Sequence, residues 1–480
     1  MLTRGATQKA RQPNFTMSLI ECQEQVYKVP IESTTKQNEY EYVIRGLRED
    51  EVKEWSEFCA SVFSYKPDPP PAEYFYRHYA NDPSTKACGS SRLIRIALFE
   101  GTIVASCRIF LRTISTGNGN GTVLRAGGIG EVCTTMDHRR RGVSTKLLEN
   151  AIAIMEERTD LQVSSLHAGP AFFPLYESLG YLCPPASNPS GGNRWSTVDF
   201  YWKTKFVKRE LVDRAADNDN DNDDDDNDYD DDDEDDEHNK TTRDEYGRRR
   251  TKSDMIGDLQ LRPAQFPRDT ETLQTLHAKY SEERFGGCMV RSKEYWNDYL
   301  SKELEGSLFV LVLPCGTFGD RILAWISVKP LKSEGNLSYC IQEFGMDSLY
   351  FEEDRLPTGW VVICLLTHAI ANLEDESSSL LLAAKAKAET TSEMTFSLTL
   401  PGFMWDEAVD YQGRSLLRFD WASERTSIDR GWMYRGLGAS RGTTTADTTV
   451  ADGFLDFVRG IDIPSGQPQT EHFVWPSDSF

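Results

Sequence analysis

Residues 131–148 read EVCTTMDHRRRGVSTKLL, which predicts a strand, a short basic loop and the beginning of a helix. The first backbone N–H groups of a helix have no partner within it, and the helix dipole favours a negative charge beside them. Gly142 allows the backbone to approach a bound group closely, and Arg139, Arg140 and Arg141 add positive charge. The stretch therefore predicts a binding site for a diphosphate.

The sequence on both sides of this stretch predicts a lobe of mixed helices and strands over residues 39–208. After Gly142, apolar residues recur every three or four positions, as on the buried side of a helix. A Glu-Gly turn at residues 100–101 separates two apolar runs, which predicts a hairpin. The predicted strands are 40–44, 93–99, 103–114, 128–134, 163–166 and 198–202, and the predicted helices are 49–63, 143–155 and 172–179.

An acidic stretch of low complexity follows this lobe. Asp217–Glu237 holds 16 acidic residues and neither Lys nor Arg. Its charges repel one another and it has nothing to bury, so residues 209–257 are predicted to be a disordered linker. Without Asp217–Glu237 the formal net charge of −23 becomes −7, and this value excludes an overall basic surface for nucleic acid.

Residues 258–390 repeat the order of elements of the first lobe. No basic loop follows the third strand of this repeat, because residues 346–355 contain more acids than bases and would repel a diphosphate. A degenerate, non-catalytic second lobe is therefore predicted. Its predicted elements are helices at 270–280 and 360–373 and strands at 308–313, 322–328, 338–344 and 380–384.

The two ends of the chain differ in composition. Residues 1–38 lack periodicity, which predicts a flexible tail. Residues 391–480 form a C-terminal extension rich in Gly, Ser, Thr and scattered aromatic residues. Its last part, residues 472–480, reads HFVWPSDSF. Aromatic residues are unusual in a frayed terminus, so we expect this end to pack on the protein.

Composition also excludes several classes of protein. No apolar run reaches the roughly 18 residues of a membrane helix. The ten cysteines are scattered without the spacing of a metal site, so no metal is predicted and a reducing compartment is indicated. We therefore expect a cytoplasmic protein, with a mitochondrial presequence at residues 1–12 as the alternative. The sequence gives no indication of the oligomeric state.

Two motifs together resemble the GNAT superfamily of acyl-CoA-dependent N-acyltransferases. The family signature Arg/Gln-x-x-Gly-x-Gly/Ala is matched by RRRGVS at residues 139–144, with Ser as a mild departure at the last position. The second motif, Tyr-x-x-x-Gly-Phe/Tyr, is matched by YESLGY at residues 176–181. The resemblance covers roughly residues 40–208. It implies an α/β fold, a twisted mixed sheet flanked by helices, in tandem with a degenerate second GNAT-like lobe.

The resemblance also implies roles for individual residues. Acetyl-CoA would be the co-substrate, and Tyr176 would be the general acid that protonates the departing thiolate. The backbone of strand 132–134 would pair with the pantetheine arm, and one of its N–H groups would stabilise the oxyanion. The residues implied in cofactor binding are Val132, Cys133, Thr134, Arg139, Arg140, Arg141, Gly142, Val143, Ser144 and Thr145.

The general base is less clearly indicated. The layout of the chain and the run HRRRG at residues 138–142 are similar to the bacterial enhanced-intracellular-survival acetyltransferases. In that group the terminal carboxylate is the base, which implies this role for Phe480. Glu131, His167 and water are the alternatives. Strand alternation places Glu131 opposite to Val132, and His167 is interpreted more readily as a satisfied residue at the end of a strand.

These resemblances imply an N-acetyltransferase that moves an acetyl group from acetyl-CoA to a primary amine by direct attack in a ternary complex. Fungal-type lysine N-acetyltransferases are similar in overall layout, which favours lysine or a lysine-like small molecule as the acceptor. A protein or peptide N-acetyltransferase is one alternative. A non-catalytic acyl-CoA-binding scaffold, with the acidic linker holding basic partners, is the other.

Overall fold

The structure, a computed structural model, contains two seven-stranded sheets and a small two-stranded one. Each large sheet is mixed and has a core of its own beside it. The described residues are 24–30, 39–66, 69–117, 121–185, 192–202, 260–314, 320–331, 337–347, 394–406, 421–437, 446–459 and 471–475.

The first sheet is formed mainly by the first lobe. Adjacent strands are antiparallel except for β5 and β6, which are parallel. In order across the sheet, the strands are β1 (Gln25–Pro30), β2 (Glu39–Gly46), β3 (Ile94–Phe99), β4 (Thr102–Ser115), β5 (Val123–Thr134), β6 (Val163–His167) and β15 (Trp432–Gly436).

Helices cover both faces of this sheet. On one face, which we call the α1 face, the indole N–H of Trp55 donates a hydrogen bond to Ser106 on β4 (2.8 Å). On the other, the α5 face, the thiol of Cys107 donates to the carbonyl of Leu147 (3.8 Å). The helices are α1 (Val52–Val62), α2 (Ala72–Asn81), α3 (Pro83–Cys88), α4 (Ser90–Leu93), α5 (Val143–Glu157) and α6 (Phe173–Ser178), with one-turn 3₁₀ helices at Glu49–Glu51, Phe63–Tyr65, Met136–His138 and Pro170–Phe172.

The α/β fold predicted from the sequence is confirmed. The amphipathic helix predicted at residues 49–63 is α1, which buries Val52, Trp55 and Phe58. The prediction of a flexible tail over residues 1–38 is wrong for Gln25–Pro30, which forms β1 at the edge of the sheet and pairs with β2. This six-residue edge strand carries too short a pattern for sequence periodicity to detect.

The second sheet has the order β14, β7, β13, β12, β11, β10, β8, in which only β12 and β13 are parallel. The strands predicted at 308–313, 322–328 and 338–344 are confirmed. Three other predicted segments lie outside the described residues: the helix 360–373, the strand 380–384 and the acidic linker 209–257. The strands are β7 (Asn193–Trp202), β8 (Gln260–Pro263), β10 (Leu308–Pro314), β11 (Asp320–Leu331), β12 (Leu337–Met346), β13 (Met394–Pro401) and β14 (Trp421–Asp429), and the helices beside them are Thr270–His277 and Ser301–Glu303, with π-helical turns at Ala278–Glu282 and Tyr295–Leu300. The helix Ala446–Arg459 packs on the first sheet, where Phe454 shares a core with Ala126 and Val163.

The two sheets exchange a strand. The sequence analysis assigns the strand at 198–202 to the first lobe, but the structure places it in β7, which pairs with β13 and β14 of the second sheet. The first sheet receives β15 instead, which lies antiparallel to β6 with Trp432 opposite His167. Strand pairing therefore crosses the boundaries predicted at residues 208 and 391, because β15 forms an edge of the first sheet and β7 lies within the second, between β13 and β14.

The C-terminal segment packs between the sheets, as predicted for residues 472–475. β16 (Glu471–His472) pairs with β9 (Phe285–Gly286). The side-chain amide of Asn193 donates to the carbonyl of Val474 (2.9 Å) and accepts from its N–H (3.3 Å), and Trp475 is fully buried. Residues 476–480 lie outside the described part of the chain. Among the described helices, none has the length and apolar character needed to cross a membrane.

Candidate active site

Strands β5 and β6 diverge at one end of the first sheet. Their parallel ladder ends at the pair Ile129 and Leu166, although β5 continues to Thr134. The chain turns away after β6, since the backbone N–H of Ala168 donates to the carbonyl of Gly431 just before β15 (2.9 Å). Beyond Ile129, β4 pairs with one side of β5 and no described strand pairs with the other. The divergence leaves a wedge between β5 and β6.

A β-bulge distorts β5 at this wedge. Opposite Cys107 on β4 there are two residues, Glu131 and Val132, where a regular ladder has one. Glu131 has a φ of 53°, in the left-handed region that residues with side chains rarely adopt. A bulge takes backbone groups out of the regular ladder, so the backbone at the wedge is suited to bind a ligand.

Two residues in left-handed conformations shape the basic loop before α5. Arg140 has a φ of 60° and Gly142 a φ of 74°, and a Cβ atom at Gly142 would lie 2.7 Å from the hydroxyl of Tyr27. No described side chain caps α5, whose first turn contains no acid and whose first internal bond joins the N–H of Lys146 to the carbonyl of Gly142 (3.0 Å). The N–H groups of residues 143–145 therefore form a site suited to an anion.

The three arginines of the loop have different surroundings. Arg139 donates back to a carbonyl at the end of β5 (3.0 Å). The guanidinium of Arg141 lies 3.8 Å from the centre of the Tyr40 ring and donates to the hydroxyl of Tyr42 (3.2 Å). Arg140 is exposed, and its guanidinium has neither a hydrogen bond nor an ion pair with any described residue. Arg140 is therefore the arginine that can turn toward a bound phosphate without breaking an existing contact.

Aromatic residues of β1 and β2 hold the loop in place. The hydroxyl of Tyr27 donates to the carbonyl of Arg141 (3.3 Å), and the hydroxyl of Tyr42 is hydrogen-bonded to Nδ1 of His138 (2.9 Å). Burial and the nearby guanidinium of Arg141 lower the pKa of His138. The wall formed by Tyr27, Tyr40 and Tyr42 depends on β1, the strand that the sequence analysis misses.

The predicted cofactor residues of β5 differ in the direction of their side chains. Val132 is half-buried and packs against the core on the α5 face. Cys133 is buried on the α1 face, where its Sγ lies 4.0 Å from that of Cys59, so its side chain does not line the wedge. The hydroxyl of Thr134 is hydrogen-bonded to that of Ser144 (2.7 Å), which ties the end of β5 to the first turn of α5. The structure thus brings the backbone of residues 132–134 to the wedge.

Tyr176, the predicted acid, lies on the α5 face. It is buried in the core that also contains Leu166 and Met433, and its ring lies 6.0 Å from that of Tyr181. Burial raises the pKa of Tyr176 to about 12. Its phenol is therefore protonated at neutral pH, as a proton donor must be.

A cluster of buried charges lies under the wedge on the α1 face. Arg112 donates a hydrogen bond to Asp82 (2.6 Å). Burial alone would raise the pKa of Asp82, but the positive charges of Arg112 and Arg108 lower it to about 2. Glu131 has only a long contact to Arg108 (3.4 Å), and its Oε2 has no hydrogen-bond partner among the described residues. Burial raises the pKa of Glu131, and Arg108 and His78 offset only part of this effect.

His167 ends β6 on the α1 face and is paired with an acid from a distant part of the chain. Its Nε2 lies 2.9 Å and 3.0 Å from the two carboxylate oxygens of Asp429 at the end of β14. Asp429 also accepts from the N–H of Gly431 (2.9 Å). The pair is half-exposed at the point where β6 and β5 part.

A narrow cleft begins beside this pair and runs between the sheets. Its interior is narrow, with about 10 Å³ of space, which is room for about one water molecule. Ser165 of β6 and Trp432 of β15 form one side, Met289 of the second lobe lies opposite, and Val474 of the C-terminal segment completes the wall. The cleft thus combines residues from both lobes and the C-terminal extension.

The family of the first lobe follows from a comparison with family models. Residues 43–183 match the model described as the acetyltransferase (GNAT) domain. This part of the chain has a GNAT acyltransferase-like fold. It spans the wedge, the basic loop and Tyr176, and a domain of this kind transfers an acyl group from acyl-CoA.

Several solved structures are similar to the chain over most of its length. A GCN5-related N-acetyltransferase from Kribbella flavida is 12% identical, with a TM-score of 0.45 over 83% of this chain and 71% of that chain. Eis1 from Mycobacterium abscessus is 13% identical, with a TM-score of 0.40 over 82% and 74%. N-myristoyltransferase from Saccharomyces cerevisiae with bound myristoyl-CoA is 12% identical, with a TM-score of 0.39 over 88% and 89%. No curated protein matches the chain.

The GNAT domain carries features that sequence reasoning missed. Asp429 follows its partner His167 by 262 positions, and no local pattern indicates the pair. Strand alternation alone sets the predicted side-chain directions of Glu131 and Val132. The β-bulge at these residues leaves no signal in the sequence, because the residue with positive φ, Glu131, is not a glycine. Phe480, the predicted base, lies outside the described residues.

Replacing Glu131 with Gln tests the charge buried under the wedge. Because the folded-state pKa of Glu131 is raised, its protonated form stabilises the fold below the unfolded value of about 4.3, and this contribution is lost as the pH rises. Glu131→Gln does not titrate, so its free energy of unfolding relative to the wild type should increase between pH 4 and pH 7. Urea unfolding at several pH values measures this difference.

The exposed Glu57 of α1 provides the matched control. Glu57→Gln should differ from the wild type by the same amount at every pH, because its carboxylate lies at the surface. A difference for Glu131→Gln that stays flat or shrinks toward pH 7 would contradict a buried, poorly compensated carboxylate.

Proposed function

We propose that the protein is an acetyl-CoA-dependent N-acetyltransferase that acts on a primary amine, with lysine or a lysine-like small molecule as the favoured acceptor. The observation that carries this proposal is the anion site at the start of α5, directly after a bulged strand that parts from its neighbour. The site has the form needed for the diphosphate of coenzyme A. The wedge beside it is open to an extended arm.

The coenzyme is proposed to bind through the residues around the wedge. Its diphosphate would contact the backbone N–H groups of residues 143–145 and the side chain of Arg140, with Arg139 and Arg141 shaping the loop. The pantetheine arm would lie along the side of β5 that no described strand occupies, and pair with the backbone of residues 132–134 like an added strand. The thioester would then reach the bulge, where a backbone N–H group is positioned to stabilise the oxyanion.

Direct attack of the amine on the thioester forms the C–N bond and releases a thiolate. Tyr176 is proposed to give its phenolic proton to that thiolate. Because burial raises the pKa of Tyr176 to about 12, above the roughly 8.5 of a thiol, the phenol is a weak acid for this purpose. The transfer therefore requires a direct hydrogen bond from the phenol to the leaving sulfur.

The acceptor is proposed to approach from the α1 face. Asp429, half-exposed at the end of β14, places a negative charge on this face, which favours a cationic amine over an anionic one. Met289 of the second lobe covers the cleft, and this cover favours a small molecule over a folded protein. Resemblance in layout to fungal-type lysine N-acetyltransferases supports lysine within the class of small amines.

The terminal carboxylate of Phe480 is proposed to bind the ammonium group of the acceptor at the site. The packing of the C-terminal segment supports this proposal, because Val474 lines the cleft and Trp475 is buried.

We also place the reaction in the cytoplasm. The seven cysteines among the described residues are all free thiols, including four that are fully or almost fully buried. Free cysteines are typical of a reducing compartment.

The proposal is tested by acetyl-CoA binding and consumption. We expect calorimetry to detect acetyl-CoA binding by the full-length protein, and Arg140→Glu to raise the Kd by about tenfold or more, because one charge-assisted contact becomes repulsive. Consumption is then measured with free amino acids, polyamines, aminoglycosides and peptides, and mass spectrometry identifies the acetylated product.

Lys53→Glu, the same charge reversal at an exposed position of α1, is the control and should leave the Kd unchanged. Absence of acetyl-CoA binding by the wild type would remove the proposal. Binding without consumption of any amine would instead support the acyl-CoA-binding scaffold.

Replacing Tyr176 with Phe tests the acid. The kcat should fall by about 100-fold, the effect of removing a positioned proton donor, while the Kd for acetyl-CoA stays the same. Steady-state kinetics and calorimetry measure the two values. Tyr65→Phe, at an exposed tyrosine, is the control. Unchanged kcat in Tyr176→Phe would show that the thiolate takes its proton from elsewhere.

Deleting Phe480 tests the terminal carboxylate. The deletion withdraws the carboxylate by one residue, about 3.5 Å, and an added C-terminal Gly displaces it by the same amount. Both changes should lower kcat by about tenfold or more without changing the Kd for acetyl-CoA. Turnover equal to that of the wild type in both variants would reject a role for the chain end.

A further inference from the structure

The pair formed by His167 and Asp429 is the one histidine–carboxylate pair in the described residues that sits at the wedge. Its geometry is well defined, with both carboxylate oxygens within 3.0 Å of one ring nitrogen. A carboxylate can only accept at neutral pH, so Nε2 carries the proton and donates it. The other ring nitrogen, Nδ1, then presents a lone pair, and it has no hydrogen-bond partner within the ranges that the structure describes.

The direction of the His167 side chain follows from strand alternation. Leu166 packs in the core on the α5 face, so Ser165 and His167 project from the α1 face. Ser165 lines the cleft, as does Trp432, whose ring lies 5.3 Å from the imidazole. The imidazole therefore stands at the mouth of the cleft, on the face from which the acceptor is proposed to approach.

The charged groups around the imidazole come from three elements. Asp429 at the end of β14 is in direct contact. Arg430, the next residue, is held by the carbonyl of Pro185 (2.5 Å). Glu131 lies on β5, across the wedge, and His472 of the C-terminal segment interacts electrostatically with Asp429. Burial would raise the pKa of Asp429, but its hydrogen bond from His167 outweighs this effect and lowers it.

We propose that Nδ1 of His167 takes up the first proton of the acceptor ammonium, and that Asp429 is the positioning residue that holds the imidazole. The inference rests on the proposed function. The freed nitrogen lone pair forms the C–N bond, the C–S bond breaks, and the thiolate takes the phenolic proton of Tyr176. The nitrogen then loses its second proton to water, and the phenolate of Tyr176 takes a proton back from water. The imidazolium, half-exposed, then releases its proton to water.

An imidazole is better matched to this task than a carboxylate alone. A terminal carboxylate titrates near about 3.5 and an ammonium near about 10.4, so the carboxylate would hold the proton only briefly. A neutral imidazole is the side chain that enzymes use most often as a general base. Asp429 adds a fixed negative charge that stabilises the imidazolium as it forms.

The test uses the pH dependence of kcat in the full-length protein with the amine found by the consumption assay. His167→Gln should lower kcat by about 100-fold and remove the acid limb of the profile. Asp429→Asn should lower kcat less and move the acid limb to lower pH, because the imidazolium loses the charge that stabilises it. Neither change should alter the Kd for acetyl-CoA. Free imidazole should restore part of the activity of His167→Ala.

Asp456→Asn, the same substitution in an exposed ion pair of the helix Ala446–Arg459, is the matched control and should keep the wild-type profile. Melting temperatures close to that of the wild type separate the effect on kcat from unfolding. If the wild type turns over an amine and His167→Gln keeps the wild-type kcat and acid limb, this inference is overturned and the proposed function remains intact. A wild type that acetylates no amine would overturn both.

Discussion

The backbone pairing of β15 with β6 is the constraint on which the site depends. It brings Trp432 opposite His167, and the hydrogen bond from Ala168 to Gly431 leads the chain away from β5. The ladder between β5 and β6 stops there, although β5 continues. A backbone ladder that went on would leave neither a wedge nor a side of β5 for a ligand to pair with. The strand that opens the site thus comes from the far end of the chain.

The same pairing makes the two lobes depend on each other. Because the first sheet receives β15 and the second receives β7, neither sheet is complete without residues from the other side of the acidic linker. Asn193 at the beginning of β7 also holds the backbone of Val474. The exchange therefore fixes the C-terminal segment, the cleft and His167 relative to one another, and separating the chain at the linker would take β15 from the first sheet and β7 from the second.

The sequence was sufficient to predict the parts of the site that lie close together in the chain. The strand, the basic loop and the first turn of α5 are contiguous, and their periodicity and composition identify them. The partners of Arg141 were not predictable, because they are tyrosines of β1 and β2 about 100 positions earlier.

The strand exchange and the partner of His167 were also beyond local reasoning. A strand of alternating residues such as β7 fits the edge of either sheet equally well, and periodicity does not say which one it joins. Asp429 is one acid among many in a region of mixed composition. Only the pairing of β15 places it beside the imidazole.

The sheet itself separates the two proton-handling groups. Tyr176 lies in an apolar core on the α5 face, where burial keeps its phenol protonated. His167 and Glu131 lie toward the α1 face, among charges and near the open cleft. The wedge between β5 and β6 connects the two faces, so a thioester placed there would receive the amine from one side and the proton for its leaving sulfur from the other.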